Sequence, residues 1–231
     1  MKTILVTGAN RGLGLEFVTQ FLDLGYKVIA SSRKITSSAE LNDLKNRFKS
    51  RLDIFELDLL LDESIEKFVG LVGSQPIDIF INNAGVMGVR NLQLRDVNSE
   101  SWLQVFRVNT IAPLLLTQKL LDNILLGLDK KMFYISSRVG SIEENNGGAL
   151  YAYRSSKTAL NQVVKSLSID LSDLGISAIA LHPGWVLTEM GGPNALIETR
   201  TSVSGMISII HKKTLKDSGR FFNYDGKTIS W

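Results

Sequence analysis

The sequence predicts an α/β fold, in which one doubly wound domain is built on a mostly parallel seven-stranded sheet with helices on both faces. The first observation is that short runs rich in β-branched and aromatic residues alternate with longer segments of helical periodicity. The second is that these short runs are apolar nearly throughout, which is typical of parallel strands covered on both faces. The third is that the chain has 231 residues, 44% of them hydrophobic, which suits one domain with a large core.

Six strands and a seventh edge strand are predicted in chain order. They cover residues 3–7, 27–31, 52–57, 77–81, 132–136 and 176–181, with the edge run at 220–224. The helices between them are predicted at 12–24, 38–49, 62–73, 100–126 and 151–173, each long enough to cross over between parallel strands. Gly25 and Gly175 stand where helices are expected to end. A sheet of this kind is expected to bind its ligand beyond the carboxyl ends of the strands.

The composition excludes several classes of function. The 26 basic and 23 acidic residues are scattered and leave a net charge of only +3, so neither nucleic-acid nor membrane binding is predicted. The absence of cysteine excludes disulfides, thiolate catalysis and sulfur-ligated metals. No metal is predicted, because His182 and His211 are the only histidines and no acidic cluster accompanies either. No export signal is visible and apolar stretches are much shorter than the roughly 20 residues of a membrane span, so we expect a soluble cytoplasmic protein.

A glycine turn joins the first predicted strand to the first predicted helix, in the segment Thr7-Gly8-Ala9-Asn10-Arg11-Gly12-Leu13-Gly14. Without a Cβ at its glycines, this backbone can turn tightly and approach a pyrophosphate, which the first amides of the helix then receive. The strand before it and the helix after it favour dinucleotide binding over an ordinary tight turn. The residues predicted to bind the cofactor here are Gly8, Asn10, Arg11, Gly12, Leu13 and Gly14.

The end of the second strand indicates which dinucleotide fits. In an NAD site a carboxylate there bonds the adenosine ribose, but this chain has Ser32 and Arg33. Arg33 can pair with a 2′-phosphate, and Arg11 can approach the same phosphate from the glycine turn. The sequence therefore favours NADP(H) over NAD(H). The alternative is that both arginines are ordinary surface residues.

Tyr153 and Lys157 stand four residues apart, so on a helix their side chains share one face. A neighbouring ammonium favours the phenolate, and we therefore expect Lys157 to lower the Tyr153 pKa from its usual value of about 10. A tyrosine adjusted in this way is suited to general acid and base catalysis near neutral pH. Tyr151 is an alternative candidate for the catalytic tyrosine, but the residue four positions after it is Ser155 and not a lysine.

These motifs together resemble the short-chain dehydrogenase/reductase family over essentially the whole chain. The resemblance lies in the G-x-x-x-G-x-G spacing, followed in order by Asn82-Asn83-Ala84-Gly85, Asn109, Ser137, Tyr153 and Lys157. The segment Met190-Gly191-Gly192-Pro193-Asn194 and the ending at 217–227 look like the C-factor and sniffer-type carbonyl reductases. The resemblance implies one Rossmann domain over residues 1–231 with a substrate lid at about 189–204. It also implies NADP(H)-dependent reduction of aldehydes or ketones, or oxidation of the matching alcohols.

The resemblance implies four catalytic residues. Tyr153 would exchange the proton and Ser137 would hydrogen-bond the substrate oxygen, with Ser136 as the rival serine. Lys157 would adjust Tyr153 and hold the nicotinamide ribose. Asn109 would complete a water-linked proton path to Lys157, a role compatible with its being a polar residue that locally breaks a helix.

Further cofactor-binding residues follow from the same resemblance. Asp58, with the main chain of Leu59 beside it, would lie near the adenine, although Asp58 could instead cap the following helix. Backbone of the Asn-Asn-Ala-Gly segment would lie beside the riboses, and Asn82 would brace the central strands. After the sixth strand, backbone and hydroxyl groups would flank the nicotinamide. The residues predicted for these contacts are Asn83, Ala84, Gly85, Pro183, Gly184, Val186 and Thr188.

The sequence also leads to expectations about the substrate pocket and about the oligomeric state. Four residues suggest an apolar pocket for an aromatic or lipid-derived carbonyl: Met87, Val139, Trp185 and Met190. Gly191 and Gly192 could serve as hinges of the lid. The helices at 100–126 and 151–173 would pair subunits into a homodimer or homotetramer, although packing on their own sheet explains their apolar residues equally well. A second class of function is an NADP(H)-binding signalling or redox-sensing protein of the C-factor type.

Overall fold

The computed structural model describes residues 1–35, 38–89 and 94–231. Its seven strands are β1 (Thr3–Val6), β2 (Lys27–Ser32), β3 (Leu52–Glu56), β4 (Ile79–Asn82), β5 (Lys131–Ile135), β6 (Ser177–His182) and β7 (Phe221–Asn223). They form one sheet in the order β3-β2-β1-β4-β5-β6-β7, and every neighbouring pair is parallel. The predicted fold class is therefore confirmed. The strand order reverses between β1 and β4, which is where a doubly wound sheet binds its ligand.

Helices cover both faces of the sheet. They are α1 (Gly12–Asp23), α2 (Ala39–Phe48), α3 (Asp62–Val72), α4 (Ser99–Phe106), α5 (Ala112–Lys119), α6 (Leu121–Leu126), α7 (Tyr151–Asp170) and α8 (Thr199–Lys212). The first two and α8 pack on one face, whereas α3, α5, α6 and α7 pack on the other. Among the helices of the described residues, none combines the length and the hydropathy that a bilayer crossing needs.

The strands supply two separate cores because successive side chains of a strand point to opposite faces. In β1, Leu5 belongs to the core beneath α7, whereas Ile4 and Val6 belong to the core beneath α1 and α8. All three side chains are fully buried. Burial on both faces explains why the strands are apolar throughout instead of alternating.

The prediction of one unbroken helix at 100–126 is wrong. The chain there forms α4, a π-helical turn at Arg107–Ile111, then α5, and a break at Leu120 before α6. Asn109 lies in the π turn and is fully buried. Its side chain bonds groups outside its own helix, and such wide turns commonly accompany functional sites.

The helix α8 is not among the predicted helices, and it begins inside the range assigned to the substrate lid. Val203, Met206, Ile207 and Ile210 form its buried face at helical spacing. This face packs in the same core as α1. Residues 199–204 of the predicted lid therefore lie in a helix anchored to the sheet, and the irregular part of that range ends before Thr199.

Candidate active site

A cleft of about 1460 Å³ opens at the carboxyl ends of the strands. This volume exceeds the roughly 300–1,000 Å³ of a typical small-molecule pocket, so the cleft has room for a dinucleotide together with a second small molecule. Its lining includes every residue predicted for the site except Asn109. Asn109 instead lies behind the wall of the cleft, with no exposed surface.

The glycine turn forms one end of the cleft. Gly8 and Gly12 have φ values of +66° and +53°, in the left-handed region that favours glycine. A Cβ on Gly14 would lie 2.1 Å from the carbonyl oxygen of Gly8, so only glycine fits there. Arg11 precedes α1 and gives the helix no side-chain cap. The first amides of α1 are therefore not capped by this side chain, as a helix that receives a phosphate requires.

Asn83 connects this turn to β4. Its side-chain nitrogen donates to the carbonyl oxygens of Thr7 (2.9 Å) and Gly8 (3.1 Å). The Thr7 hydroxyl in turn accepts from the backbone amides of Asn83 and Ala84, each at 3.0 Å. The prediction assigned the bracing of the central strands to Asn82, but Oδ1 of Asn82 is buried without a hydrogen-bond partner among the described residues. Asn83 makes the bracing contacts because it stands one residue beyond the strand, where it reaches the turn.

The two arginines predicted for the 2′-phosphate both line the cleft. Arg33 is exposed just beyond β2, and the buried hydroxyl of Ser32 bonds the carbonyl oxygen of Lys34 at 3.1 Å. Arg11 forms an ion pair with Glu189, which the sequence did not indicate. This pair connects the glycine turn to the segment after β6 and so spans the cleft.

Asp58 and Leu59 line the cleft beyond β3. Oδ1 of Asp58 accepts from the amide of Leu60 at 3.0 Å. The residue that caps α3 is Leu61, without a side-chain bond. The alternative that Asp58 caps this helix is therefore wrong, because its carboxylate folds back onto its own turn.

The two serines at the end of β5 have different surroundings. The Ser136 hydroxyl is buried and donates to Oδ1 of Asn161 at 2.6 Å. Ser137 lines the cleft, and its side chain hydrogen-bonds Tyr153. Of the two candidates, Ser137 is thus the one placed beside the tyrosine.

Tyr153 and Lys157 share one buried face of α7, as their spacing predicted. Their exposed fractions are 8% and 4%, and Nζ of Lys157 lies 5.9 Å from the centre of the tyrosine ring. The amine donates to the carbonyl oxygen of Ile135 at 2.8 Å. The tyrosine hydroxyl lies 4.0 Å from Sδ of Met190. Tyr151 lies at the start of α7 and is 39% exposed, so it does not compete for this position.

Burial shifts the pKa values of both groups in the directions that favour their neutral forms. The pKa of Tyr153 is raised to about 12 because burial disfavours the phenolate, and the hydrogen bond with Ser137 opposes this rise only in part. Burial lowers the pKa of Lys157 to about 8. The prediction that Lys157 lowers the tyrosine pKa is therefore wrong for this site. The lysine is bonded to Ile135 instead of the phenol, and desolvation dominates.

Asn109 clamps the strand-end segment to α7. Its Oδ1 accepts from the amide of Val86, and its Nδ2 donates to the carbonyl oxygen of Val86, both at 2.8 Å. Nδ2 also donates to the Ser156 hydroxyl at 3.0 Å. A Cβ added to Gly85 would lie 3.3 Å from Oδ1 of Asn109 and 3.4 Å from Nζ of Lys157, so this glycine separates the two side chains. The water-linked path between them stays a prediction.

The segment after β6 forms a further part of the cleft wall. A Cβ on Gly184 would lie 2.3 Å from the side chain of Ile197, which explains the glycine after Pro183. Val186 is buried and forms an isolated parallel bridge with Ile197. The Thr188 hydroxyl accepts from the amide of Gly191 at 3.0 Å, and its methyl group would lie 3.3 Å from a Cβ on Gly12. Thr188 therefore stands directly beside the glycine turn.

The predicted hinge glycines have different reasons to be glycine. A Cβ on Gly191 would lie 1.9 Å from the carbonyl oxygen of Val186, so close packing requires glycine there. Gly192 has a φ of +80° and open space around its Cβ position, so it alone has the conformational freedom of a hinge. Trp185 anchors the same segment through a 2.7 Å bond from its indole nitrogen to the Gly191 carbonyl oxygen.

Two parts of the cleft wall were missed by the sequence reasoning. Arg138 follows Ser137 and lines the cleft with 52% of its side chain exposed. Leu150 precedes α7 with a φ of +49°, next to Ala149 at +52°. Non-glycine residues rarely adopt this conformation, and no residue type in the sequence marks it. Arg138 was detectable, since it adjoins the predicted serine.

Comparison with known proteins agrees with this geometry. A family model described as short chain dehydrogenase matches residues 2–196. C-signal of Myxococcus xanthus is 41% identical over 164 residues, covering 71% of this chain and 98% of that protein. Among solved structures, carbonyl reductase Sniffer of D. melanogaster has a TM-score of 0.94 and 35% identity, with 100% of both chains covered. NADPH-bound carbonyl reductase from chicken fatty liver has a TM-score of 0.91 and 33% identity, covering 100% of this chain and 99% of that one.

The matched family and the two structures agree with the resemblance drawn from the motifs, and the carbonyl reductase and C-signal relatives agree with the subfamily. The glycine turn, the tyrosine and the lysine all lie within the matched residues 2–196. The chain therefore belongs to the short-chain dehydrogenase family.

Proposed function

We propose that this protein is an NADPH-dependent carbonyl reductase that converts aldehydes or ketones to alcohols, or catalyses the reverse reaction. The observation that carries the proposal is that Ser137, Tyr153 and Lys157 meet at one wall of the cleft that also contains the glycine turn. The fit of a dinucleotide is supported by the cleft volume of about 1460 Å³ and by the first turn of α1, which has no side-chain cap at the glycine turn. When bound, the cofactor supplies the hydride.

Tyr153 acts as the proton donor in reduction. Its pKa of about 12 keeps the hydroxyl protonated at neutral pH, and its proton passes to the carbonyl oxygen as that oxygen becomes the alcohol. Ser137 donates a hydrogen bond to the same oxygen and stabilises its developing charge. Lys157, with a pKa of about 8, then returns a proton to the buried phenolate. Asn109 holds the neighbouring backbone in place, and its Oδ1 has a second lone pair that can accept from a water on this path.

The preference for NADPH rests on charge. The cleft wall near the end of β2 carries Arg33 and no carboxylate at position 32, and Arg11 lies on the adjoining turn. A 2′-phosphate can pair with these guanidinium groups, whereas the free ribose hydroxyl of NADH gains less from them. The NADPH bound to the carbonyl reductase from chicken fatty liver supports the same assignment.

The experiment that tests the proposal measures NADPH oxidation by the purified protein with a panel of aldehydes and ketones. Tyr153→Phe should lower turnover by about 10²- to 10⁴-fold, the usual contribution of a general acid, and leave NADPH affinity nearly unchanged. Tyr151→Phe is the matched control, because this exposed tyrosine lies two residues away on the same helix. Turnover that survives in Tyr153→Phe, or that is lost equally in Tyr151→Phe, would contradict the mechanism.

A second candidate function is that of a signalling or redox-sensing protein that binds NADP(H). The 41% identity to C-signal favours it. The two functions differ in one measurable respect, since a sensor would bind the cofactor yet reduce no member of the carbonyl panel. The complete set of serine, tyrosine and lysine in the cleft favours the enzyme.

We further propose that two copies pair through α4, α5 and α7. Exposed apolar side chains on these helices and on the π turn between α4 and α5 support this arrangement: Leu103 (68%), Ile111 (44%), Leu114 (41%) and Ile169 (62%). Covering such side chains would contribute to association. Light scattering on the wild type and on Leu103→Glu tests the pairing, and a wild-type monomer would refute it.

A further inference from the structure

The charges that line the cleft are unevenly distributed. Among the described residues of its lining, the carboxylates are those of Asp58 and Glu189, whereas the cations are Arg11, Arg33, Arg138 and Lys157. Glu189 is paired with Arg11, and Asp58 lies beyond β3 at the nucleotide end. The half of the cleft around Ser137 and Tyr153 therefore contains cations without a carboxylate of its own among the described lining residues.

Arg138 is the cation of that half which the proposed mechanism does not use. It directly follows Ser137, so the Cα atoms of the two residues are about 3.8 Å apart, and both residues line the cleft. Arg11 and Arg33 lie at the nucleotide end, and Lys157 is buried behind the tyrosine. Arg138 is half exposed and can reach a ligand in the cleft.

The present partner of Arg138 already has the chemistry of a carboxylate ligand. Its Nε lies 3.2 Å from Oε2 of Glu144, a residue of the loop that follows Ser137. Within the described part of the chain this is the ion pair that Arg138 makes, and it leaves the two terminal nitrogens of the guanidinium for a ligand. Two parallel N–H···O bonds from an arginine match the geometry of a carboxylate.

The charge of Arg138 also affects His182, another residue of the cleft lining. His182, at the end of β6, has its pKa lowered to about 4 by burial and, to a smaller extent, by Arg138. The imidazole is therefore neutral near pH 7, so His182 does not add a second positive charge beside Arg138. The surrounding lining is apolar and includes Val139, Trp185 and Met190.

We propose that the substrate of this enzyme is a carbonyl compound with an apolar body and a carboxylate, and that Arg138 binds the carboxylate. The inference rests on the proposed reductase function and specifies its substrate class. Arg138 is a specificity-determining residue in this assignment, because the carboxylate lies away from the atoms that exchange hydride and proton.

The test compares two aldehydes, para-formylbenzoate and its methyl ester, of which the ester lacks the negative charge and carries one additional methyl group. We expect wild-type kcat/KM to be higher for the acid, and Arg138→Met to lower the acid-to-ester ratio about fivefold, as for a partly exposed ion pair. Arg138→Lys keeps the charge and should retain part of the preference. Arg47→Met is the matched control, since Arg47 is 67% exposed and paired with Asp23 outside the cleft. An acid-to-ester ratio that is the same in wild type and Arg138→Met overturns the inference.

A binding measurement separates this inference from the proposed function. Calorimetry follows para-(hydroxymethyl)benzoate and its methyl ester binding to the protein saturated with NADP⁺, in wild type and Arg138→Met. Reduction of both aldehydes without any effect of Arg138 would support the reductase and refute the carboxylate site. Selective, Arg138-dependent binding of the acid without turnover would refute the reductase and support the site. If neither aldehyde is reduced and neither alcohol binds, both are refuted.

Discussion

Arg11 of the glycine turn forms an ion pair with Glu189 of the segment that follows β6. The same arginine is proposed to bind the cofactor's 2′-phosphate, so the carboxylate and the phosphate compete for one guanidinium. We expect Glu189→Gln to tighten NADPH binding about twofold to fivefold and to affect NADH less, because an exposed pair contributes little. Titration of cofactor fluorescence measures both dissociation constants.

Glu198→Gln provides the control for this change. Glu198 lies in the same segment, is exposed and gives α8 no side-chain cap. The Glu198→Gln substitution removes the same charge as Glu189→Gln but leaves the ion pair of Arg11 intact. Equal effects of the two substitutions would mean that general charge, and not competition for Arg11, sets the affinity.

The end of β2 is expected to control the choice between the two nucleotides. Ser32→Asp combined with Arg33→Ala places a carboxylate where a ribose hydroxyl can donate and removes a partner of the 2′-phosphate. Charge-assisted hydrogen bonds contribute about 1.5–3 kcal/mol, so the NADPH-to-NADH affinity ratio should fall by about 10- to 100-fold. Unchanged relative affinities for the two nucleotides would refute the assignment of Arg33.

The buried lysine should make stability depend on pH in a defined window. The pKa of Lys157 is about 8 in the folded protein and near its usual 10.5 in the unfolded chain. Between these values the unfolded chain binds more protons, so the free energy of unfolding due to this group rises with pH, by at most about 1.4 kcal/mol per unit. Tyr153, whose pKa is raised from 10.0 to about 12, acts in the opposite direction only above pH 10.

Urea denaturation from pH 7 to pH 10 measures this effect. Lys157→Met places an unbranched apolar side chain of similar length at the same position and removes the titrating amine. We expect the wild type to gain stability relative to this variant as the pH rises through 8 to 10. Parallel curves for the two proteins would show that the amine does not titrate in this range.

Two glycine substitutions distinguish close packing from helix propensity. In Gly14→Ala the new methyl group would lie 2.1 Å from the carbonyl oxygen of Gly8, so the glycine turn must shift. We expect at least about tenfold weaker NADPH binding and a loss of about 1–3 kcal/mol of stability. In Gly70→Ala the methyl group meets nothing within 4 Å on α3, and stability should rise by about 0.5–1 kcal/mol.

The sheet was predictable because each strand is a short apolar run between helical patterns. Strands that are apolar on both of their faces indicate a parallel sheet covered by helices. The interrupted helix was harder, since the wide turn at Asn109 depends on bonds to Val86 and Ser156, which are distant in sequence. The helix α8 could have been found from its apolar spacing at Val203, Met206 and Ile210. The lid predicted at residues 189–204 overlaps the first residues of this helix.

In the site, the spacing of Tyr153 and Lys157 predicted their shared face, because helical geometry is local. Their protonation was not predictable in the same way. Burial depends on the whole fold, and it outweighs the charge of the lysine in setting the tyrosine pKa. The pairing of Arg11 with Glu189 likewise joins residues that only the folded chain brings together.

The sheet separates two packed layers, with Leu5 in one and Ile4 in the other. The layer that contains Leu5 supports α7 and therefore the tyrosine, whereas the other supports α1 and therefore the glycine turn. Substitutions that loosen the packing of the layer with Leu5 should slow the chemical step. Substitutions that loosen the layer with Ile4 should weaken nucleotide binding. An engineer who wishes to adjust one kinetic constant at a time thus has two separate sets of interior positions to vary.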